Sequence, residues 1–169
     1  MNKTLVTLVA AGASIFCAAP PASSIAATAH DSLCGNTAYS VCEHAKPKLK
    51  SSSAAGWSKG HFTFKFTLVR RYSTAYGLKS VTIALPKGIA FNRRTYVKDI
   101  KVSGLKSQLQ LNRNGTLTAT VKSPVNGITV TANSHAFTES RAAMRARRVT
   151  LGLTVADSAR GRYRLSYTA

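Results

Sequence analysis

Apolar and polar side chains alternate through the last twenty residues of the chain. Val149, Leu151, Leu153 and Val155 are interleaved with Thr150, Gly152, Thr154 and Ala156. The pattern pauses over 157–161 and resumes with Tyr163, Leu165 and Tyr167 against Arg162, Arg164 and Ser166. A period of two on both arms, with Asp and Gly between them, predicts an antiparallel hairpin with one buried face. Upstream, Phe62, Phe64, Phe66 and Leu68 alternate with Thr63, Lys65 and Thr67, which predicts a strand over 61–69 whose aromatic face needs an opposing sheet. Val81, Ile83 and Leu85 predict another strand, and Ile89 and Phe91 fold back over the core edge after Pro86-Lys87-Gly88. A short strand is expected over 96–102. Leu109 and Leu111 pair with Leu117, Ala119 and Val121 across Asn114-Gly115, a dipeptide that tolerates positive φ. Pro124, Asn126 and Gly127 mark a turn before Ile128, Val130 and Ala132.

Two stretches break this rhythm. Residues 138–148 hold three alanines and a methionine; Thr138 is placed to cap, Glu139 to sit at a helix start, and Arg145, Arg147 and Arg148 near the helix end. One short basic helix is predicted there, with Arg141, Arg145 and Arg148 on one face by helical spacing. Residues 46–60, rich in Lys, Ser, Ala and Gly, read as a flexible basic linker, with Trp57 as a lid on the core edge. Seven or eight short strands with Gly, Pro and Asn turns imply an all-β, Ig-like Greek-key sandwich, with an up-and-down barrel as the alternative. The expected core comprises Phe62, Phe64, Phe66, Ile83, Leu117, Leu151, Leu153, Tyr163 and Leu165.

The N-terminus carries a different message. Lys3, a run of apolar and small residues over 5–19, Pro20-Pro21 and Ala27-Thr28-Ala29 together have the form of a secretory signal peptide ending at Ala29. Removing residues 1–29 leaves 140, and no transmembrane segment is expected in that remainder. The domain plan is therefore signal peptide 1–29, cysteine loop and linker 30–60, and β-sandwich 61–169. Cys17 would leave with the signal, so Cys34 and Cys42 remain; in an oxidising compartment they are expected to form a disulfide. Seven residues between them is wider than the usual zinc pair.

Charge then narrows the class of partner. Twenty-four Lys and Arg face 5 Asp and Glu, a net +19 that becomes +18 when Lys3 goes with the signal. Such a field favours polyanions. Candidate contacts are Arg141, Arg145 and Arg148 on the helix and Arg162 and Arg164, outward on the last strand. No aromatic ladder accompanies them, so nucleic acid would be an incidental partner. The carboxylates are few and lie at a turn (Asp157), a helix start (Glu139) or among lysines (Asp99), which leaves poor material for a two-carboxylate hydrolase. No nucleophile elbow, zinc-protease helix or P-loop is present, and no cofactor is expected. A small secreted hydrolase stays as one alternative. The other is a copper protein in which the amine and imidazole of a new N-terminal His30 chelate the metal with His44, His61 or His135.

From Val81 onward the chain resembles loosely defined β-rich modules of secreted actinobacterial proteins. The resemblance rests on Leu85-Pro86-Lys87-Gly88 followed by Phe91, on Asn114-Gly115, on the basic segment from Arg141 to Arg148, and on Asp157 with Gly161. It covers residues 81–169 and implies a module without assigned catalysis. The reading from sequence is thus a secreted or wall-associated, non-catalytic module held on anionic wall glycans or acidic surface polymers, of unspecified oligomeric state. Intact mass of the exported protein checks the leader and the bridge: a chain starting at His30 that takes up no alkylating reagent until reduced is expected, and two alkylations without reduction would exclude the bridge.

Overall fold

The computed structural model describes residues 42–103 and 107–169. Among these, antiparallel strands build two sheets. The first has four strands: β1 (Lys48–Ala55), β2 (Thr63–Val69), β8 (Gly127–Ala132) and β5 (Ile100–Ser103), in that spatial order. The second has five: β11 (Arg162–Thr168), β10 (Thr150–Asp157), β3 (Leu78–Ala84), β7 (Leu117–Val125) and β6 (Ser107–Leu111). A ribbon of β4 (Ile89–Phe91) and β9 (Phe137–Glu139) adds two more strands. Neighbours far apart in sequence, β2 with β8 and β3 with β7, tie the sheets into an all-β sandwich. Among the described residues each sheet keeps two free edges, an open sandwich instead of the closed barrel considered as the alternative.

The inward positions form one core. Phe62, Phe64, Phe66, Leu68, Ile128 and Val130 from the first sheet side pack with Val81, Ile83, Leu117, Val121, Leu151, Leu153 and Val155 from the second. Phe137 of the ribbon joins the aromatic part, its ring centroid 5.0 Å from Phe62, 5.5 Å from Phe64 and 5.7 Å from Phe91. Seven of the nine expected core residues are buried here. Leu165 is only partly buried, packed against the core from the edge strand β11. Tyr163 is not a core residue: its phenol turns to a polar cluster described below. An edge strand has a neighbour on one side only, so its inward side chains are less covered than those of β10.

Three local expectations change. Residues 48–55, expected as flexible linker, form β1, hydrogen-bonded along β2 from Lys48↔Val69 to Ala55↔Thr63. A register shift between Leu49 and Ser51 puts the covered positions Leu49, Ser52 and Ala54 out of step, which disguises the alternation, while β2 gains a partner for an edge that would otherwise be long and unpaired. Residues 96–99 form a short helix, α1 (Tyr96–Asp99), instead of the start of a strand, and Val97 is 61% exposed. The helix begins in a turn where the Tyr96 amide donates to the Asn92 carbonyl and the Asp99 amide to Thr95. Thr138 and Glu139 belong to β9, and Ser140 is the cap of α2 (Arg141–Met144), its Oγ accepting from the Ala143 amide at 3.2 Å. Glu139 accepts the Phe62 amide proton at 2.6 Å, which fastens the ribbon to the start of β2. Trp57 lies against the core edge, its indole N–H donating to the Ala146 carbonyl at 3.0 Å.

Leu153 is 2% exposed between β3 and β11. Leu153→Ala is expected to lower unfolding free energy by about 2–5 kcal/mol in a denaturant titration; a loss below about 0.5 kcal/mol would remove it from the core.

Candidate anion-binding face

The alternation that buries Leu153 and Ile83 turns their neighbours outward. In the second sheet this gives two cross-strand rows. One runs Arg164, Thr154, Thr82, Thr118, Gln110; the next runs Arg162, Ala156, Ser80, Thr120, Gln108. Arg162, Arg164, Gln108 and Gln110 are exposed on the two edge strands, and the small residues between them are partly exposed. Thr82 and Thr118 share a hydroxyl–hydroxyl bond of 2.9 Å, and Asn112 donates to Thr118 at 2.9 Å. The sequence reading found the two arginines. It did not see the hydroxyl rows, because they exist only once register sets strands side by side.

The opposite face of the sandwich has a row of its own, Ser53, Lys65, Thr131 and Lys101. Lys65 and Lys101, exposed on either side of Thr131, are cations that no sequence spacing brings together.

The helical arginines are arranged differently from expectation. α2 closes at Met144, so Arg145 is its C-cap and Arg148 lies beyond it. A face spaced i, i+4, i+7 needs two turns of helix, and this one has a single turn. All three arginines are exposed. Arg148 precedes Val149, which exchanges both backbone bonds with Ala169 at the open end of the hairpin, away from its 157–161 turn. Arg164 stands opposite Thr154, six residues along from Arg148, or roughly 20 Å at strand rise. The five candidate arginines therefore fall into two groups. Cys34, the expected bridge partner of Cys42, and His30, the candidate copper ligand, lie outside the described residues.

The described carboxylates are engaged internally. Glu43 accepts from the Thr74 hydroxyl at 3.1 Å, Asp99 from the Asn133 amide at 3.1 Å, and Glu139 from the Phe62 amide. Asp157, 5% exposed, holds the hairpin turn, and sequence reading assigned it no more than a turn position. Its Oδ1 accepts from the amides of Gly161 at 2.6 Å and Ala159 at 3.0 Å; its Oδ2 accepts from Tyr163 Oη and His44 Nδ1, both at 2.9 Å. A side chain on Gly161 would strike all three of Asp157 Oδ2, His44 Nδ1 and Tyr163 Oη. His44 also packs its ring 4.9 Å from Tyr76. The cluster fastens the segment entering β1 to the hairpin. Between described residues, this His44–Asp157 contact is the only one that sets a basic side chain within ion-pair distance of a carboxylate.

Burial, then the hydrogen bond to Asp157 and its negative charge, push the Tyr163 phenol up from 10.0 to about 12. The folded state thus holds this proton more tightly than the unfolded chain does. Its contribution to stability is complete below pH 10.0 and is lost as pH rises towards about 12. Tyr163→Phe, compared with wild type by denaturant titration at stepped pH, should show a shallower loss of stability across that window; parallel curves would exclude the assignment.

No family model matches this chain, and no curated protein matches it either. Among solved structures it is similar to the collagen-binding domain of a Staphylococcus aureus adhesin, at 9% identity and a TM-score of 0.43, covering 75% of this chain and 97% of that one. It is similar to the collagen-binding subdomain of the Enterococcus faecalis surface protein ACE at 8% identity and a TM-score of 0.40, covering 75% and 97%. A DUF4466 family protein from Parabacteroides merdae gives 10% identity and a TM-score of 0.40, covering 74% of this chain and 44% of that one. Likeness of this order carries nothing about what the present chain binds.

Proposed function

We propose that this chain is a secreted, non-catalytic binding module retained on anionic wall glycans or acidic surface polymers, with nucleic acid an incidental ligand. The observation that carries the reading is the imbalance of the surface. The described carboxylates are engaged in holding turns and strand ends, whereas Arg141, Arg145, Arg148, Arg162 and Arg164 are exposed and meet no carboxylate of a described residue. Removal of residues 1–29 and a Cys34–Cys42 bridge belong to the same proposal. Among the described residues no helix is long and apolar enough to cross a membrane.

Arg162 and Arg164 sit two strand residues apart, roughly 7 Å, inside the Debye length of about 10 Å at 0.1 M salt. They act on a polyanion as one unit. Arg148, roughly 20 Å along the ribbon, is screened from them and acts separately.

Binding of a phosphate-bearing wall polymer, titrated from low salt to about 0.5 M, tests this. Affinity should fall steeply with salt. Arg162→Ala/Arg164→Ala and Arg141→Ala/Arg145→Ala/Arg148→Ala should each weaken binding, with losses that multiply when combined. Alanines at Lys46, Lys48 and Lys50 should cost little. Equal losses in all three sets would mean diffuse charge and would sink the assignment of sites.

A further inference from the structure

We propose that the outer face of the five-stranded sheet binds one linear glycan whose sugars carry acid groups, laid across the strands. The inference rests on the reading of this chain as a polyanion binder, and it names the ligand class and the residues that select it.

Charge alone would be satisfied by any polyanion; the row beside the charge is what discriminates. From Arg164 the register continues through Thr154, Thr82 and Thr118 to Gln110. A guanidinium donates two parallel bonds to a carboxylate or its equivalent. Hydroxyls and a carboxamide both donate and accept. A sugar chain offers both kinds of partner to such a row, whereas a bare phosphate polymer can only accept. The middle of the face is low, built from Thr, Ser and Ala, and its outward positions hold no aromatic ring on which a nucleobase could stack.

Spacing gives the orientation. Adjacent strands lie ~4.8 Å apart, so one row crosses five strands in about 19 Å, with a polar group at each step. That step is close to the length of one sugar in an extended glycan. A chain running across the sheet meets Arg164 at one end, Gln110 at the other and a hydroxyl from each strand between. The row is partly ordered before any ligand arrives, because Asn112 donates to Thr118 and Thr118 is bonded to Thr82. Groups already held in place lose less entropy on binding.

The opposite face supplies a charge-matched control, since Lys65 and Lys101 flank Thr131 there without an arginine or a glutamine.

The test uses the mature chain, oligogalacturonates of two to eight sugars, and inorganic polyphosphate as a polyanion without hydroxyls. Wild-type affinity for the sugars should rise with length and level off at about five residues, one per strand crossed. Thr82→Val/Thr118→Val removes both members of one hydrogen bond while keeping the side-chain shape, and Asn112, which loses Thr118, still donates to the Thr116 hydroxyl at 2.8 Å, so thermal unfolding should move little. This variant should lose about tenfold in affinity for the longer sugars and keep its affinity for polyphosphate. Arg162→Ala/Arg164→Ala should lose on both ligands, and Lys65→Ala/Lys101→Ala should lose less than the arginine pair on the sugars. Unchanged sugar binding by the Thr variant, or an equal loss on polyphosphate, would overturn the proposal. So would an affinity still climbing steeply from about five to eight sugars, or a lysine pair that costs as much as the arginine pair. Polyphosphate binding without sugar binding would overturn this inference and leave the polyanion reading standing; binding of neither at low salt would overturn both.

Discussion

The arrangement of the domain depends on burying one aliphatic and aromatic stripe. Phe62, Phe64, Phe66 and Leu68 are each at most 3% exposed. Removing four such side chains from water is worth about 6–12 kcal/mol, the size of the whole net stability of an ordinary domain. The stripe sits on a strand, so two demands follow at once. Its apolar face needs a second sheet, which β3, β7 and β10 supply. Its two edges need hydrogen-bond partners, which β1 and β8 supply. The ribbon of β4 and β9 then brings Phe137 against the aromatic end and Glu139 onto the Phe62 amide, so the start of β2 is held by both packing and a charged hydrogen bond.

Asp157 is the polar counterpart of that stripe. A carboxylate in so covered a place is costly unless its oxygens are occupied, and here four donors occupy them. Two come from the backbone of its own turn, one from Tyr163 on the returning strand, and one from His44 on the segment entering β1. One side chain therefore sets the shape of the last hairpin and ties the beginning of the described chain to its end. The arrangement has a consequence for the surface. Carboxylates spent in this way leave little to oppose the basic residues, and the outward face of β10 and β11 stays positive at one edge and hydroxylic across its width.

The alternating patterns of Phe62–Leu68, Val81–Leu85, Leu109–Val121 and Val149–Tyr167 determined the strands, the hairpins at Asn114-Gly115 and Asp157–Gly161, and the sandwich class, because a period of two in large apolar residues has few other uses. The same reasoning found Arg162 and Arg164 as outward residues. Where the local signal was weak, tertiary structure decided. β1 became a strand because β2 had an open edge, although a register shift after Leu49 breaks its alternation. Residues 96–99 turned helical because the chain turns at Asn92. Thr138 and Glu139 went to a ribbon because Phe137 had a place in the core. Tyr163, patterned like a core residue, turned to Asp157 because an edge strand covers its inward side chains on one flank only. The hydroxyl row from Arg164 to Gln110 joins five strands brought together from between 78 and 168, and neither it nor the pair Lys65 and Lys101 exists at any spacing along the sequence. Side-chain periodicity is a property of one strand, whereas a binding face is a property of register between strands, and register is fixed only when the whole core closes.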